Sequence, residues 1–433
     1  MGASQGAGAP PYPLVSQASA TQRGACHVGA KRPRTSGTRH WDKAVRRRAR
    51  TLDVRGSRES SGRIPDVPDA PPPHHHRRTI LRVILVAELV MAVVTGATVV
   101  FAYRHLNGNI ETLPTIQHLV EPPADVADEP RQPINVLVMG SDTRACDGCG
   151  IDQEAGEGGS DTTILLHVSA DREQTYGLSL ARDTMVSRPA CEVDGETVPA
   201  EDPVIFNEAF AVGGPLCTVL QVEHVTGIHI DHTVVVNFAG FEDMVDAVHG
   251  VEVCVPKPVD AYGIHLEAGR QLVTGRDALG YVRERHVLSP NSDLGRMKRQ
   301  QAFIASMVKR VMSADTLTMP NRLYNFLDAA TKSIQVDKDL ASLGKLVDLA
   351  QQFKGADLKK IKFVTVPVEE YPADPNRLQF APDAKQLWEL IQHDQPLGKF
   401  AKGAISADDK VGDLGGDPND PDAKERLANG LCA

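Results

Sequence analysis

Residues 134–142 read INVLVMGSD, an apolar run that ends in turn-forming Gly, Ser and Asp. A run of this length and composition is typical of a buried β-strand. Strand-like runs of the same character recur at 162–168, 175–180, 233–236, 251–255 and 361–366. Helical spacing separates them at 216–225 and 238–248. The alternation of strands and helices predicts an α/β domain, with a central mixed β-sheet flanked by helices in an α-β-α arrangement.

The composition divides the chain into two parts of opposite charge. Of 433 residues, 41% are hydrophobic and 24% charged, which suffices for one or two cores and excludes a fibrous or wholly disordered protein. The formal net charge is −9, yet residues 1–82 carry sixteen Lys and Arg against five Asp and Glu. The remainder holds 31 basic and 51 acidic residues. Such asymmetry indicates that the two parts face different surroundings.

Residues 83–103, VILVAELVMAVVTGATVVFAY, are apolar enough to cross about 30 Å of hydrocarbon as a helix. Their one charge, Glu88, lies near the end flanked by arginines, where we expect it either to reach the membrane interface or to be paired. A cleaved signal peptide is disfavoured because the preceding segment is longer than a normal n-region. The excess of Lys and Arg before the helix predicts a single-pass protein of the cell membrane. Its N-terminus is then cytoplasmic and its main domain extracellular.

These patterns predict five segments along the chain. They are a disordered basic cytoplasmic arm at 1–78, a transmembrane helix at 79–104, an extracellular stalk at 105–132, the main folded domain at 133–400 and a flexible acidic tail at 401–433. The basic arm lacks a nucleic-acid-binding motif, so we expect it to meet anionic lipid and not nucleic acid.

The cysteines of the exported part favour disulfides. Cys146 and Cys149 form a CxxC in a Gly- and Asp-rich loop, which we interpret as a local disulfide or loop staple. A zinc half-site or a redox pair is the alternative, although no second CxxC completes a metal site. Cys191 and Cys217 are candidates for a second bridge, and Cys254 is expected to be a small core residue.

Acidic residues stand at the ends of the predicted strands. Asp142 follows the first strand, Asp161 precedes the second, and Asp183 follows the third. Loops at adjoining strand ends converge on one crevice in layered sheets. Two carboxylates held that close need a cation between them, and an oxygen-only ligand set suits Mg²⁺ or Mn²⁺ better than Zn²⁺. Ordinary turn chemistry is the alternative, since Asp after Gly or Ser commonly forms turns.

A basic cluster follows in the motifs YVRERH at 281–286 and SDLGRMKRQQ at 292–301. Asp293 is a predicted N-cap, so a helix begins near the next residue. Arg296, Arg299 and Gln300 are spaced to share one helix face, which Phe303 continues as an apolar surface. Guanidinium groups grip phosphate oxygens bidentately, so this face opposite a carboxylate site predicts a diphosphate pocket. A solvated basic helix face is the alternative.

Taken together, the motifs resemble the LytR-CpsA-Psr family of cell-envelope phosphotransferases, actinobacterial type. The resemblance covers roughly residues 133–391. It is carried in order by INVLVMGSD, SDTTILLHV, LSLARDTMV, FNEAF, VEHVTGIHIDHTVVVNFAGFEDMVDAV, GRDALGYVRERH and SDLGRMKRQQAF. It implies an enzyme that moves a glycopolymer from a polyprenyl-pyrophosphate carrier to peptidoglycan, forming a phosphodiester link. It also implies a short cytoplasmic arm, one membrane helix and an extracellular catalytic domain.

The same resemblance implies roles for individual residues. Magnesium, or manganese, is expected at Asp142 and Asp161. Contact with the pyrophosphate is expected from Arg182, Arg283, Arg285, Arg296 and Gln300, with Arg299 as an additional contact. Asp183 is expected either to orient Arg182 or to act on the acceptor hydroxyl, and Asn207 to organise the pocket. An apolar tunnel for the polyprenyl tail is expected from Val204–Val212 and the helix face bearing Phe303.

Two other functions use the same features. A polyprenyl-pyrophosphate phosphohydrolase would use this pocket with water as the acceptor. A membrane-bound transcriptional attenuator would need DNA affinity in the arm, and the absence of a helix-turn-helix pattern argues against it. The long insertion after Asp142 and the unusual segment 191–203 leave the glycopolymer open among a teichoic acid, a capsular polysaccharide and an arabinogalactan.

Overall fold

The computed structural model describes residues 75–122, 131–141, 159–261, 263–289, 293–353, 357–412, 414 and 420–433. The backbone alone is described for His75, His76, Asp161 and Ala314. The predicted basic arm up to residue 74, Asp142 and the Cys146–Cys149 loop therefore lie outside the described residues.

The helices of the described chain follow the apolar periodicity. They are α1 (His75–Gly108), α2 (Glu208–Thr226), α3 (Phe238–Ala247), α4 (Gly275–Arg283), α5 (Asp293–Val311), α6 (Ala314–Leu317), α7 (Pro320–Ser333), α8 (Leu343–Gln352), α9 (Asp383–Gln392) and α10 (Pro421–Ala428). Short 3₁₀ turns occur at Lys338–Leu340, Leu358–Lys360 and Gly398–Ala401. The start of α3 is fixed by the Asn237 side chain, which accepts a hydrogen bond from the backbone N–H of Gly240 at 2.7 Å.

The strands of the described chain are shorter and more numerous. They are β1 (Glu111–Thr112), β2 (Ile134–Ser141), β3 (Ser160–Val168), β4 (Thr175–Leu180), β5 (Met185–Arg188), β6 (Cys191–Val193), β7 (Glu196–Val198), β8 (Glu201–Ile205), β9 (His232–Asn237), β10 (Val251–Val255), β11 (Val259–Ala261), β12 (Ile264–Leu266), β13 (Gly269–Val273), β14 (Ile334–Val336), β15 (Ile361–Thr365), β16 (Val368–Tyr371), β17 (Asp374–Phe380) and β18 (Ile405–Ser406).

The main sheet has eight strands in the order β1-β14-β9-β2-β3-β4-β15-β18 within the described residues. Strand β2 pairs parallel with β9 and antiparallel with β3. Strand β4 pairs antiparallel with β3 and parallel with β15. The sheet is therefore mixed, which confirms the predicted sheet type.

The two faces of this sheet are covered by different helices. Leu137, Leu165 and Leu178 pack into one core with Val222 of α2 and Trp388 of α9. On the other face, side chains of β15 and β18 pack against those of α5. Successive residues of a strand point to opposite faces, so one apolar run supplies both cores. The predicted α-β-α layering is confirmed.

One predicted strand occupies a different place from the others. Residues 251–255 do form strand β10, but it pairs with β13 in a separate two-stranded ribbon and not in the central sheet. Its apolar side chains bury against α5 and α3 in a core of their own. An apolar run of this kind is compatible with a strand of the central sheet or with a separate ribbon. Only the tertiary structure distinguishes the two.

Helix α1 contains the segment Arg77–Gly108, which has the length and apolar composition to cross a membrane. The helix continues beyond the predicted end at residue 104, and its last turn contacts the domain. Nε2 of His105 lies 2.8 Å from Oδ1 of Asp328, and the side chain of Leu106 is buried. Helix α1 is thus in direct contact with α7.

The predicted stalk at 105–132 is wrong for its described residues, which pack on the domain. Strand β1 pairs with β14, and the backbone N–H of Leu113 donates to the carbonyl of Val336 at 2.7 Å. The Leu113 side chain is only 5% exposed and belongs to the main core. Burial of this apolar side chain against the sheet is what holds the segment down.

A buried carboxylate fastens the end of this segment. Oε2 of Glu223 accepts the backbone N–H groups of Leu119 and Val120 at 2.6 and 3.1 Å, and Oε1 accepts that of Ile230 at 3.0 Å. Nδ1 of His118 lies 2.8 Å from Oε1. With His229, these side chains have the spacing of a metal site, but the carboxylate oxygens are already hydrogen-bonded. We call this group the Glu223 clasp.

The predicted flexible tail at 401–433 is also wrong for its described residues. Strand β18 pairs with β15, and α10 follows it. Leu431 is buried against α5, and Cys432 forms a disulfide with Cys254. Cys254 is therefore a bridge partner and not simply a core residue. The predicted Cys191–Cys217 bridge is confirmed.

Replacement of both Cys254 and Cys432 by Ser is expected to lower the free energy of unfolding by about 2–4 kcal/mol, because the bridge restricts the unfolded chain. Denaturant titration of the full chain in detergent, followed by tryptophan fluorescence, measures this. The paired variant Cys191→Ser with Cys217→Ser is the control. This control should also lose stability, but its C-terminal segment, which the Cys254–Cys432 bridge holds, should stay protected from protease. An unchanged denaturation midpoint in the first pair would contradict the expectation.

The Glu223 clasp should weaken as the pH rises. The hydrogen bond to Glu223 raises the pKa of His118 above 6.5. The stabilisation is therefore fully present below about pH 6.5 and is lost as the pH passes the raised pKa. The free energy of unfolding of the wild type should exceed that of His118→Gln by about 1 kcal/mol near pH 6 and by almost nothing near pH 9. Thermal unfolding across this range measures the gap, with His265→Gln as an exposed control. A gap that does not vary with pH would refute the assignment.

Candidate active site

The paired ends of β2 and β3 form one edge of the site. Gly140 pairs with Thr162 and Ser141 with Ser160, so residue 161 is an extra residue inserted into β3. An inserted residue of this kind interrupts the ladder. The Asp161 backbone thus stands beside the end of β2, where the chain runs on to Asp142. Within the described residues, the structure places the backbone of Asp161 but not its carboxylate.

Asn207 links this edge to the end of β4. Its side-chain Oδ1 accepts the backbone N–H of Ser160 at 2.9 Å, and its own backbone N–H donates to the carbonyl of Arg182 at 3.1 Å. A Cβ at Gly159 would lie 2.6 Å from Nδ2 of Asn207, so a side chain there would displace the Asn207 amide. Through these contacts Asn207 holds Ser160, the residue before Asp161, close to Arg182. Three of the predicted site positions therefore lie together.

Arg182 connects the sheet edge to helix α5. Its Nε lies 3.5 Å from Oδ2 of Asp183 and 3.8 Å from Oδ1 of Asp293. The same oxygen of Asp293 pairs with Nη2 of Arg296, one turn into the helix. Asp293 is thus the first residue of α5 and the acid between two predicted phosphate-binding guanidiniums. Segments distant in sequence meet here, as predicted from their charges.

Arg283 and Gln300 mark the other side of the site. The Arg283 guanidinium lies 4.7 Å from the centroid of the Phe238 ring, a cation–π contact in a mostly buried setting. Nε2 of Gln300 donates to the carbonyl of Val282 at 3.3 Å, which ties α5 to the end of α4. Arg285, two residues beyond Arg283, is partly exposed.

Arg299, predicted as an additional phosphate contact, is held in the protein interior in this structure. Its guanidinium is fully buried and donates to the carbonyl of Glu284 and to Oγ of Ser289. Burial lowers the pKa of Arg299, and Tyr281 and Glu284 oppose that shift.

An apolar cavity of about 220 Å³ opens between the sheet and helices α3, α4 and α5. It is lined by Val138, Met139, Gly140, Thr162, Ile164, Val236, Phe238, Phe241, Met244, Leu279, Val282, Gln300, Phe303, Ile304 and Met307. Polar side chains occur only at Thr162, beside Asp161, and at Gln300 among these residues. The cavity therefore offers an apolar interior whose polar lining coincides with the two groups of predicted site residues.

The predicted tunnel wall at Val204–Val212 is wrong, whereas Phe303 does line the cavity. Val204, Phe206 and Phe210 are buried in the core on the α2 side of the sheet. Sequence could not distinguish the two faces, because apolar side chains of either face look alike in a linear pattern.

Arg377 is a site residue that sequence reasoning missed. Its Nη1 lies 3.6 Å from Oδ1 of Asp183, and the backbone N–H of Leu378 donates to the carbonyl of Asp183 at 3.4 Å. The hairpin of β16 and β17 thus places the Arg377 guanidinium beside Asp183, which Arg182 also contacts. No local motif signalled it, since Arg377 sits in a polar strand far along the chain.

Known proteins of one family match most of the described chain. The model of the LytR-CpsA-Psr family matches residues 105–395. The cell wall biosynthesis protein LcpA of Corynebacterium glutamicum is 32% identical over 262 residues, covering 54% of this chain and 50% of LcpA. The polyisoprenyl-teichoic acid–peptidoglycan teichoic acid transferase TagU of Enterococcus faecalis is 32% identical over 216 residues, covering 50% of this chain and 65% of TagU.

The chain spans about half to two thirds of the length of these relatives. A crystal structure of a Streptococcus agalactiae protein superimposes with a TM-score of 0.50 and 23% identity. It covers 64% of this chain and 91% of that one. This likeness shows the fold, and the family match begins at residue 105, where α1 meets the domain.

Proposed function

The chain belongs to the LytR-CpsA-Psr family, and we propose that it transfers a glycopolymer from a polyprenyl-pyrophosphate carrier to peptidoglycan. The product is a phosphodiester link formed during cell-wall assembly. The observation that carries this proposal is the apolar cavity whose polar lining, Thr162 and Gln300, adjoins the acidic strand ends and the basic helix start. A lipid pyrophosphate has this same division between an apolar chain and an anionic head.

The cavity suits the isoprenoid part of such a carrier. About 0.8 kcal/mol is gained for each methylene removed from water, so an apolar slot between a sheet and three helices retains a hydrocarbon chain. Phe303, Ile304 and Met307 supply successive contacts along α5. The membrane helix places the domain next to the bilayer that holds the carrier.

The guanidiniums suit the head group. Arg182 and Arg296 converge on Asp293, and Arg283 lies at the cavity beside Phe238. We propose that these side chains, with Arg285 and Gln300, bind the pyrophosphate oxygens. They would stabilise the charge that develops as polyprenyl phosphate leaves.

We propose a divalent metal at the remaining edge. The β2–β3 pairing puts the backbone of Asp161 beside Ser141, the residue before Asp142, and paired carboxylates are ligands that Mg²⁺ or Mn²⁺ prefers. We propose that Asp142 and Asp161 hold the ion. When bound, it would neutralise phosphate charge.

In the proposed transfer step, the acceptor hydroxyl oxygen of peptidoglycan attacks the phosphorus that carries the glycan. The bond between that phosphorus and the bridging oxygen breaks. Polyprenyl phosphate leaves with the electron pair. We assign the hydroxyl proton to the carboxylate of Asp183, which Arg182 and Arg377 hold from both sides at 3.5 and 3.6 Å.

The orientation across the membrane follows from two features. Lys and Arg are concentrated before α1, which favours a cytoplasmic N-terminus. The bridges Cys191–Cys217 and Cys254–Cys432 are typical of an oxidising compartment. We therefore propose that the catalytic domain lies outside the cell.

Arg283→Ala and Arg285→Ala should each lower the transfer rate by on the order of 10²- to 10³-fold while folding is kept, because each removes one donor to the pyrophosphate. The assay combines the full chain, a polyprenyl-pyrophosphate glycan, magnesium and peptidoglycan, and product masses are measured. Arg270→Ala, a partly exposed guanidinium on β13, is the matched control.

Two results of this assay would contradict the proposal. Wild-type release of glycan phosphate without attachment to peptidoglycan indicates a hydrolase that uses water as acceptor. Normal ligation by either arginine variant would remove that side chain from the site.

Met307→Trp should fill the cavity and weaken binding of geranylgeranyl pyrophosphate about tenfold, the equivalent of roughly two buried methylene groups. Affinity for inorganic pyrophosphate should not change, since it has no chain to bury. Met312→Trp, at the end of α5 and outside the cavity lining, is the size-matched control. If both tryptophan variants bound geranylgeranyl pyrophosphate with equal affinity, its isoprenoid chain would have to bind outside this cavity. Calorimetric titration with each ligand provides the measurement.

A further inference from the structure

Glu284 stands between Arg283 and Arg285 and is completely buried. Its Oε1 accepts the backbone N–H groups of His286 and Val287, each at 2.5 Å, and its Oε2 accepts that of Leu288 at 2.8 Å. Three successive amides therefore close around one carboxylate. Charge-assisted bonds of this kind are among the stronger hydrogen bonds in proteins. The chain after α4 is held in a fixed turn by a side chain that faces inward.

A second group holds the backbone of the same residue. The guanidinium of Arg299 donates to the carbonyl of Glu284 and to Oγ of Ser289, and its Nη2 lies 3.8 Å from Oε2 of Glu284. A buried carboxylate without a cation would be costly, and Arg299 supplies that cation. The turn at 284–289 is thereby attached to α5 at the residue next to Gln300.

The geometry at this point decides where the flanking arginines go. Helix α4 ends at Arg283, and Glu284 has extended dihedrals, φ −57° and ψ 131°, so the chain leaves the helix there. The contacts of its carboxylate and its carbonyl immobilise Glu284. Glu284 therefore sets the direction in which the chain continues to Arg285. Arg283 remains on the helix beside Phe238. The separation of the two guanidiniums thus depends on Glu284.

The C-terminal segment completes the enclosure of Arg299. Gly430 has φ +72°, and a Cβ there would lie 2.8 Å from Nη1 of Arg299 and 3.0 Å from Cβ of Leu288. Only glycine fits this backbone against the guanidinium. The disulfide of Cys432 with Cys254 holds the segment in place.

We propose that Glu284, clamped by Arg299, is a positioning residue that sets the spacing and direction of Arg283 and Arg285 toward the lipid pyrophosphate. The inference rests on the proposed function, because the pyrophosphate is its object. Glu284 itself touches no substrate. It acts through the two arginines, as residues that orient a ligand-binding group commonly do.

The test measures binding of geranylgeranyl pyrophosphate with magnesium to the full chain in detergent. Glu284→Gln removes the charge and part of the amide contacts, and Arg299→Lys keeps a charge but loses the planar donor pair. Each variant should bind the probe about 10- to 100-fold more weakly than the wild type, the usual effect of disturbing an orienting group. Two variants are used so that a folding failure in one leaves the other informative.

Glu223→Gln is the matched control. Glu223 is also fully buried and also accepts three backbone N–H groups, but it fastens the segment after the membrane helix. It should lose thermal stability to a similar degree and keep the affinity of the wild type for the probe. A loss of affinity in Glu223→Gln equal to that in Glu284→Gln would show a general effect of destabilisation and overturn the inference.

A double-mutant cycle separates positioning from simple support of the fold. If Glu284 acts through the two arginines, then Glu284→Gln should cost less than threefold in a background that carries both Arg283→Ala and Arg285→Ala, because both groups it positions are gone. Additive losses would overturn the inference, as would wild-type affinity in Glu284→Gln. If the wild type fails to bind the probe, or Arg283→Ala binds it normally, the proposed function fails and the inference with it.

Discussion

Burial of guanidinium groups is the constraint on which the rest of this structure depends. The side chains of Arg188, Arg296 and Arg299 are at most 2% exposed, and a buried charge is tolerated only when it is paired and hydrogen-bonded. Each has an acid beside it, respectively Glu201, Asp293 and Glu284. Glu201 and Glu284 lie on different segments from their arginines, and Oδ1 of Asp293 also lies 3.8 Å from Nε of Arg182, so charge compensation links separate parts of the chain.

The two ends of the domain are held in the same manner. Glu223 gathers the backbone amides that follow the membrane helix, and Glu284 gathers those that follow α4. In both, one buried carboxylate replaces water for several N–H groups that no strand or helix satisfies. One turn follows helix α1, and the other lies between Arg283 and Arg285 of the candidate site. The same local arrangement therefore occurs at both ends of the domain.

The cavity explains why the site needs elements from across the chain. A sheet alone presents a flat apolar face, and α3, α4 and α5 enclose the space above it. Helix α5 contributes Phe303 and Met307 to the interior, Gln300 to the polar lining and Arg296 to the ion pairs at its start. The change from charge to hydrocarbon along one helix matches the change along a lipid pyrophosphate. That correspondence is why we assign the head and tail of one ligand to one helix.

The sequence by itself determined the features that depend on local pattern. Apolar runs bounded by turn residues predicted the strands, about twenty apolar residues predicted the membrane helix, and the spacing around residues 281–301 predicted the basic helix start. The packing of 105–122 and 420–433, the Cys254–Cys432 bridge, the burial of Arg299 and the approach of Arg377 were decided only by the tertiary structure. Each depends on contacts between residues far apart in the chain. A local pattern states which side chains are apolar or charged, but the partner that satisfies each one is selected when the whole core closes.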